Sequence, residues 1–100
     1  MYQIIEISED DSLIEELENK SSGLFFPFFE EAGIERCFVA FSGDIAVGFQ
    51  TVDVDDLCIA IEVFESWMGK GVSRALIQES GCNRPERNEN PEFWEAAKYF

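Results

Sequence analysis

Between residues 36 and 63 the chain lays down three apolar runs separated only by turn residues, and this stretch constrains the fold more than any other. Residues 36–41 (Arg-Cys-Phe-Val-Ala-Phe) read as a strand. Ser42-Gly43-Asp44 is turn chemistry, and residues 45–52 return as the second arm of a hairpin. Asp53-Val54-Asp55-Asp56 is an acidic approach to a third strand, residues 57–63. That run alternates Leu57, Ile59, Ile61 and Val63 against Cys58, Ala60 and Glu62. The alternation predicts one aliphatic face and one small face bearing a single carboxylate.

The flanks read as helices around this sheet. Tyr2-Gln3-Ile4-Ile5-Glu6-Ile7 is a short β-type run. Ser8 offers an N-cap, and Glu9, Asp10 and Asp11 favour the positive end of the helix it would start. Leu13, Ile14 and Leu17 give that helix an apolar face, and Ser21-Ser22-Gly23 breaks it. Residues 24–29 form a dense Leu-Phe-Phe-Pro-Phe-Phe cluster, in which Pro27 argues against a continuing helix. The cluster reads either as a core plug or as a patch for a partner. Glu30, Glu31 and Ala32 read as a second short helix ended by Gly33. After residue 71, Val72, Ala75, Leu76 and Gln78 continue as a helix, and the polar residues 80–90 read as a loop. Asn90-Pro91-Glu92 is a helix start, with an N-cap, a proline at the first position and an acid in the first turn. Phe93, Trp94, Ala97 and Tyr99 supply the apolar side of that helix.

One hundred residues, 46% of them hydrophobic with ten Phe, make one domain with enough apolar material for one core. Burial stabilises so small a domain only marginally, which leaves a role for a ligand or a second subunit, as in a homodimer. No basic n-region or long apolar stretch opens the chain, and no run approaches the ~20 residues that span a bilayer, so a soluble, cytoplasmic protein is expected. Cys37, Cys58 and Cys82 lack metal-ligand spacing and there is no His, so reduced thiols and no zinc site are expected. The charge is lopsided. Residues 1–66 hold 16 acidic and 2 basic side chains, whereas residues 67–100 hold 5 of each. An acidic surface disfavours nucleic acid phosphate and anionic lipid and favours a cationic substrate or a basic protein. It also serves simply to keep a protein soluble.

The chemistry-bearing feature is strand, Gly69-Lys70-Gly71, then helix. Glycines entering a helix let backbone N–H groups approach an anion, and the helix dipole and free first-turn N–H groups bind phosphate. Lys70 and Arg74 place positive charge there, outside the acidic part of the chain. The same loop would also serve as a plain strand-to-helix turn.

Residues 61–77, from Ile61-Glu62-Val63 through Met68-Gly69-Lys70-Gly71-Val72-Ser73-Arg74 to Ile77, resemble the signature of the GNAT N-acetyltransferase family. There a bulged strand ends in V-x-P and is followed by R/Q-x-x-G-x-G/A, whose amides hold the pyrophosphate of CoA. The hairpin before it also resembles that family's paired strands. The resemblance implies an α/β fold, β-α-α-β-β-β-α-α, with a central, mostly antiparallel sheet flanked by helices. It implies acetyl-CoA as co-substrate. Met68, Gly69, Lys70, Gly71, Val72, Ser73 and Arg74 would hold the phosphates, and backbone groups of Ile61 and Val63 would meet the acetyl carbonyl and the pantetheine arm. A further strand, splayed from its neighbour, normally follows the signature helix and makes the pantetheine slot, but residues 81–90 offer no apolar run for it.

The departures from the pattern are specific. Glu65 stands at the usual Pro, Met68 at the usual Arg or Gln, and Ser73 at a second small residue. Phe93-Trp94-Glu95 resembles an F-Y-E helix with Trp94 at the general-acid tyrosine, and indole cannot donate and recover a proton that way. The chain stops at Phe100, where the family adds at least one more strand, so a compact or C-terminally degenerate member is expected.

Acetyl transfer needs a neutral amine, hence a general base. Asp55, 14 residues before Gly69, is placed like the acidic residue of the histone-acetyltransferase branch, and Glu62 is the second candidate. Two functions are therefore expected. One is an acetyl-CoA-dependent N-acetyltransferase acting on a cationic amine such as a lysine side chain, a polyamine or an aminoglycoside. The other is a non-enzymatic acidic inhibitor on the same scaffold, of the kind phages and mobile elements encode, binding a basic, nucleic-acid-binding protein.

Overall fold

A computed structural model describes residues 2–8, 11–21 and 33–100. The elements are β1 (Gln3–Ile7), α1 (Leu13–Lys20), β2 (Arg36–Ser42), β3 (Ile45–Val52), β4 (Cys58–Val63), a 3-10 turn (Glu65–Trp67), α2 (Val72–Ser80) and α3 (Pro91–Ala97). The four strands form one sheet in the order β1-β2-β3-β4, and every neighbouring pair is antiparallel. The domain is thus a small α/β unit: one antiparallel sheet with three α-helices among the described residues. The expected phenylalanine cluster at residues 24–29, the short helix at 30–32, and Glu9 and Asp10 lie outside the described residues.

Turn chemistry sets the register. Gly43 and Asp44 are the two-residue link between Ser42 and Ile45, and Gly43 takes φ +61° at the first central position, as a type II′ turn requires. The β3–β4 link is closed by Asp53, whose side chain accepts the amides of Asp55 (2.9 Å) and Leu57 (3.0 Å). β2 and β3 shift register between Ala40 and Phe41, with Val47 the extra residue of β3.

Alternate residues of β2 face opposite sides of the sheet, as a pleat demands. Phe38 and Ala40 pack with Leu76 and Ile77 of α2 and with Trp94 and Ala97 of α3. Cys37 and Val39 pack with Ile7, Phe49 and Leu17 of α1 on the other face. Leu17 is fully buried, and sinking such a side chain stabilises by about 1.5–3 kcal/mol. Gly48 is where α2 meets the sheet. A Cβ there would lie 2.7 Å from the carbonyl oxygen of Glu62 and 3.0 Å from Val72 Cγ1, so only glycine lets the first residue of α2 sit down on β3 and β4.

The sequence expectations need four corrections. α1 starts at Leu13 rather than after Ser8, because Asp11 accepts the Leu13 amide at 2.9 Å and takes the capping role; the Ser8 carbonyl accepts the Asp11 amide at 3.1 Å. Strict alternation in β4 fails, because Val52 pairs with Cys58 while Thr51 pairs with Ala60, leaving Ile59 as an extra, bulged residue. Cys58 therefore joins Ile61 and Val63 on the α2 side, and Ile59 goes to the α1 side. Tyr99 lies beyond the end of α3 and is 80% exposed. Finally, residues 80–90 are not wholly a loop, since Pro85 bridges to Cys58 in parallel. The expected cap of α3 is present, with Asn90 Oδ1 accepting the Phe93 amide at 3.4 Å.

Candidate functional site

The site is built on the two ends of β4. At its start, the Cys58 amide donates to the Arg84 carbonyl and the Cys58 carbonyl accepts from the Glu86 amide, both at 2.8 Å. The chain leaving α2 therefore returns alongside β4, parallel to it, and touches it at one residue. At the other end, Phe64 donates its amide to the Val47 carbonyl at 3.0 Å, facing β3. Backbone groups alternate sides along a strand, so the amide and carbonyl of Glu62 also face β3, while those of Ile61 and Val63 face the opposite edge. Cys58 and Ile61 point to the same edge although they stand an odd number of steps, three, apart in the chain. The bulge at Ile59 makes that parity change.

The Gly-Lys-Gly loop follows. Gly69 and Gly71 have φ +76° and +80°, values that L side chains rarely adopt, and the space in front of each Cβ position is open. Gly71 is the N-cap of α2, no side chain caps the helix, and no acid lies in its first turn. Ala75 takes the first intrahelical bond, to the Gly71 carbonyl at 3.1 Å, which leaves the amides of Val72, Ser73 and Arg74 as the unpaired donors of a helix start. Lys70 Nζ lies 5.2 Å from the centroid of the Trp67 ring and the Arg74 guanidinium 5.6 Å from that of Phe100. Arg74 thus leans toward the C-terminal aromatic residues, whereas Lys70 stays at the loop. Met68 is exposed beside it.

The two carboxylates singled out in the sequence do not meet. Asp55 is exposed in the β3–β4 turn, at the start of β4. The six residues of β4 span about 20 Å, so Asp55 and the glycine loop stand at opposite ends of the strand. Glu62 lies near the loop but faces α1, accepting the Ser21 hydroxyl at 2.8 Å. Two open hollows, of about 280 Å³ beside Lys20 and Phe64 and about 580 Å³ along α3, involve none of residues 68–74.

Sequence reasoning missed three features of this region. The first is an acidic pair at the start of β4. The Leu57 amide, then Glu86 and the Asp55 amide, hold the Asp53 carboxyl below its ordinary value, and the Asp53 carboxylate holds Glu86 above its own. Nothing local in the sequence brings residues 53 and 86 together; the single parallel bridge does. The second is a buried network in which Gln50 Nε2 donates to the Cys82 carbonyl (2.9 Å) and Gln50 Oε1 accepts the Ser80 hydroxyl (2.7 Å). It anchors the returning chain to β3, and a lone Gln inside the apolar run 45–52 was a usable signal for it. The third is Tyr2, which reaches the loop from the far end of the sequence.

All three cysteines are free and buried, and desolvation pushes the Cys37 and Cys58 thiols up to about 12, so neither is a nucleophile at neutral pH. Among the described residues no helix is long and apolar enough to cross a membrane. No family model matches the chain, and neither a curated protein nor a solved structure matches it.

Proposed function

We propose that the chain binds acetyl-CoA between the free end of β4 and the start of α2, and transfers the acetyl group to a cationic amine. The observation that carries this reading is the returning chain after α2, which pairs with β4 at Cys58 alone and leaves the Ile61–Val63 edge facing outward beside the glycine loop. On this reading, the single bridge would take the place of the splayed parallel strand pair that the GNAT resemblance implies.

The residues divide the work. The amides of Gly71, Val72, Ser73 and Arg74 would receive the pyrophosphate, with Lys70 supplying the charge that Met68 cannot. Backbone groups of Ile61 and Val63 would pair with the amides of the pantetheine arm, which runs back along β4. The thioester then lies toward the start of β4, near the turn that carries Asp55. Asp55 would take a proton from the ammonium, directly or through water, and the neutral amine would attack the thioester carbonyl. Collapse of the tetrahedral adduct breaks the C–S bond, and the thiolate leaves to be protonated. Glu62, turned toward α1 and bonded to Ser21, is the less favoured base. The acidic surface favours arrival of a cationic acceptor such as a lysine side chain, a polyamine or an aminoglycoside.

A separate observation supports a second reading. Glu15, Glu16 and Glu18 are all exposed on α1, on the face of the sheet opposite α2. They suit docking on a basic protein, with the chain acting as a non-enzymatic inhibitor.

The test is thermal unfolding with acetyl-CoA followed by a transfer assay on spermidine and a lysine peptide. Ligand at ~100 Kd should stabilise by about 2.7 kcal/mol. Gly71→Asp should abolish the shift, because it strains φ +80° and sets a negative charge against the pyrophosphate. Stabilisation with no transfer to any amine would favour the inhibitor. No stabilisation at millimolar acetyl-CoA would end the cofactor reading.

A further inference from the structure

The Lys70 carbonyl accepts a hydrogen bond from the Tyr2 hydroxyl at 2.8 Å, across 68 residues of sequence. The Tyr2 ring also meets Trp67 edge-on, with centroids 6.3 Å apart and planes at 79°. Lys70 Nζ in turn sits over the Trp67 ring. Two contacts therefore link the residue just before β1 to the segment just before α2, and a third ties Lys70 to Trp67 within that segment.

The hydrogen bond has a directional consequence. In a trans peptide the carbonyl and the following N–H lie in one plane and point opposite ways. Holding the Lys70 oxygen on Tyr2 turns the Gly71 N–H away from Tyr2. The peptide turns about Lys70 ψ and Gly71 φ, and Gly71, at φ +80° with no side chain, does not oppose another arrangement, so this peptide is free to flip once the hydrogen bond is lost. A flipped peptide would set an acceptor beside the donors of the α2 start and would repel an anion.

We infer that Tyr2 is a positioning residue: its hydroxyl fixes the Lys70–Gly71 peptide, so the conformation of the loop depends on the docking of β1. The consequence for CoA rests on the function proposed above; the consequence for the loop does not.

Tyr2→Phe keeps the ring against Trp67 and removes only the hydroxyl. In Tyr2→Phe the flipped population, read from conformational exchange at the Gly71 and Val72 amides by NMR relaxation dispersion, should rise by roughly two- to twelvefold, the range that loss of one net hydrogen bond implies. CoA and inorganic pyrophosphate should each bind weaker by a similar factor, while binding of pantetheine, which lacks the pyrophosphate, should not change. Tyr2→Leu, which also removes the ring, should loosen the loop further. Unchanged exchange in Tyr2→Phe overturns the inference whatever CoA does. Equal weakening of pantetheine also overturns it, because the effect would then be general. A larger flipped population with no CoA binding in either protein supports Tyr2 as the loop's anchor and removes the cofactor reading alone.

Discussion

The two ends of β4 are built to opposite rules. At Cys58 the strand is paired on both edges, its thiol is buried, and the surroundings are acidic, with Asp53, Asp55, Asp56 and Glu86 close in the fold or the chain. From Ile61 to Val63 the strand is paired on one edge only among the described residues, and the loop beyond it carries two glycines, a lysine and the start of a helix. One bulged residue, Ile59, separates the two regimes. The difference teaches that one bulged residue lets a six-residue strand change its pairing from one end to the other; on the proposed function the loop end would take the anion, the turn end the proton, and the edge between them the extended ligand.

The largest effect expected is kinetic and comes from the acidic end. Asp55→Asn should lower acetyl transfer by about 10²–10⁴-fold, the usual contribution of a general base. CoA affinity, set at the other end, should stay within twofold or so. An unchanged rate would move the role to Glu62, to the Asp53–Glu86 pair or to water, and would break the division of labour between the two ends.

Stability should expose the buried thiols next. The Cys37 and Cys58 thiols sit at about 12 in the folded protein, against an ordinary 9.0. A thiol raised in the folded state contributes in full below its unfolded value and loses that contribution as pH rises toward the folded one. Unfolding free energy should therefore fall between about pH 9 and 12, by up to ~1.4 kcal/mol per pH unit for each thiol. Urea titrations at pH 8 and 10.5 measure it, and Cys58→Ala and Cys37→Ala should each flatten the slope. A slope unaffected by either variant would mean that these thiols do not need to stay buried and neutral.

At the free end the expected cost is steric. Gly48→Ala drives a methyl to 2.7 Å from the Glu62 carbonyl and 3.0 Å from Val72. Overpacking of this kind costs about 1–3 kcal/mol, or a drop of roughly 4–8 °C in Tm for each kcal/mol in a domain this size. Because the strain falls where α2 meets β4, CoA affinity should fall with it. Full stability in the alanine variant would show that α2 can back away from the sheet without cost.

Much of this contrast was legible in the sequence, and what was not has a physical reason. The hairpin at Gly43, the acidic turn before β4, the glycine loop and the cap at Asn90 are local chemistry, and each appears where the residues require it. The bulge at Ile59 is not local. Leu57, Ile59, Ile61 and Val63 alternate well enough to predict a flat strand, and only pairing with β3 reveals the extra residue. The return of Pro85 to Cys58 is a single bridge, too short to leave any periodic trace. Tyr2 at the loop is the extreme case, since no windowed reading joins residues 2 and 70. A resemblance in spacing points to Asp55 and the small face of the strand to Glu62, and the fold sets the first in the turn before β4 and turns the second toward α1.

The smallest effect expected is at the surface. Reversing Glu15 and Glu16 to Lys changes exposed charges on α1, which packs on the face of the sheet opposite α2. The KM for a cationic acceptor should rise about two- to threefold at low salt and less near ~0.5 M, where screening is strong, while kcat and CoA affinity hold. If the same variant instead loses a salt-sensitive protein partner, mainly through a slower on-rate, the inhibitor reading gains and the acceptor reading loses.

The most direct measurement is an NMR titration of the ¹⁵N-labelled protein with CoA. The account predicts that the amides of Ile61, Val63 and residues 69–74 shift together and saturate at one Kd, with those of Glu15, Glu16 and Glu18 unmoved. Shifts confined to α1 or α3, or no saturable shift at millimolar CoA, would contradict it.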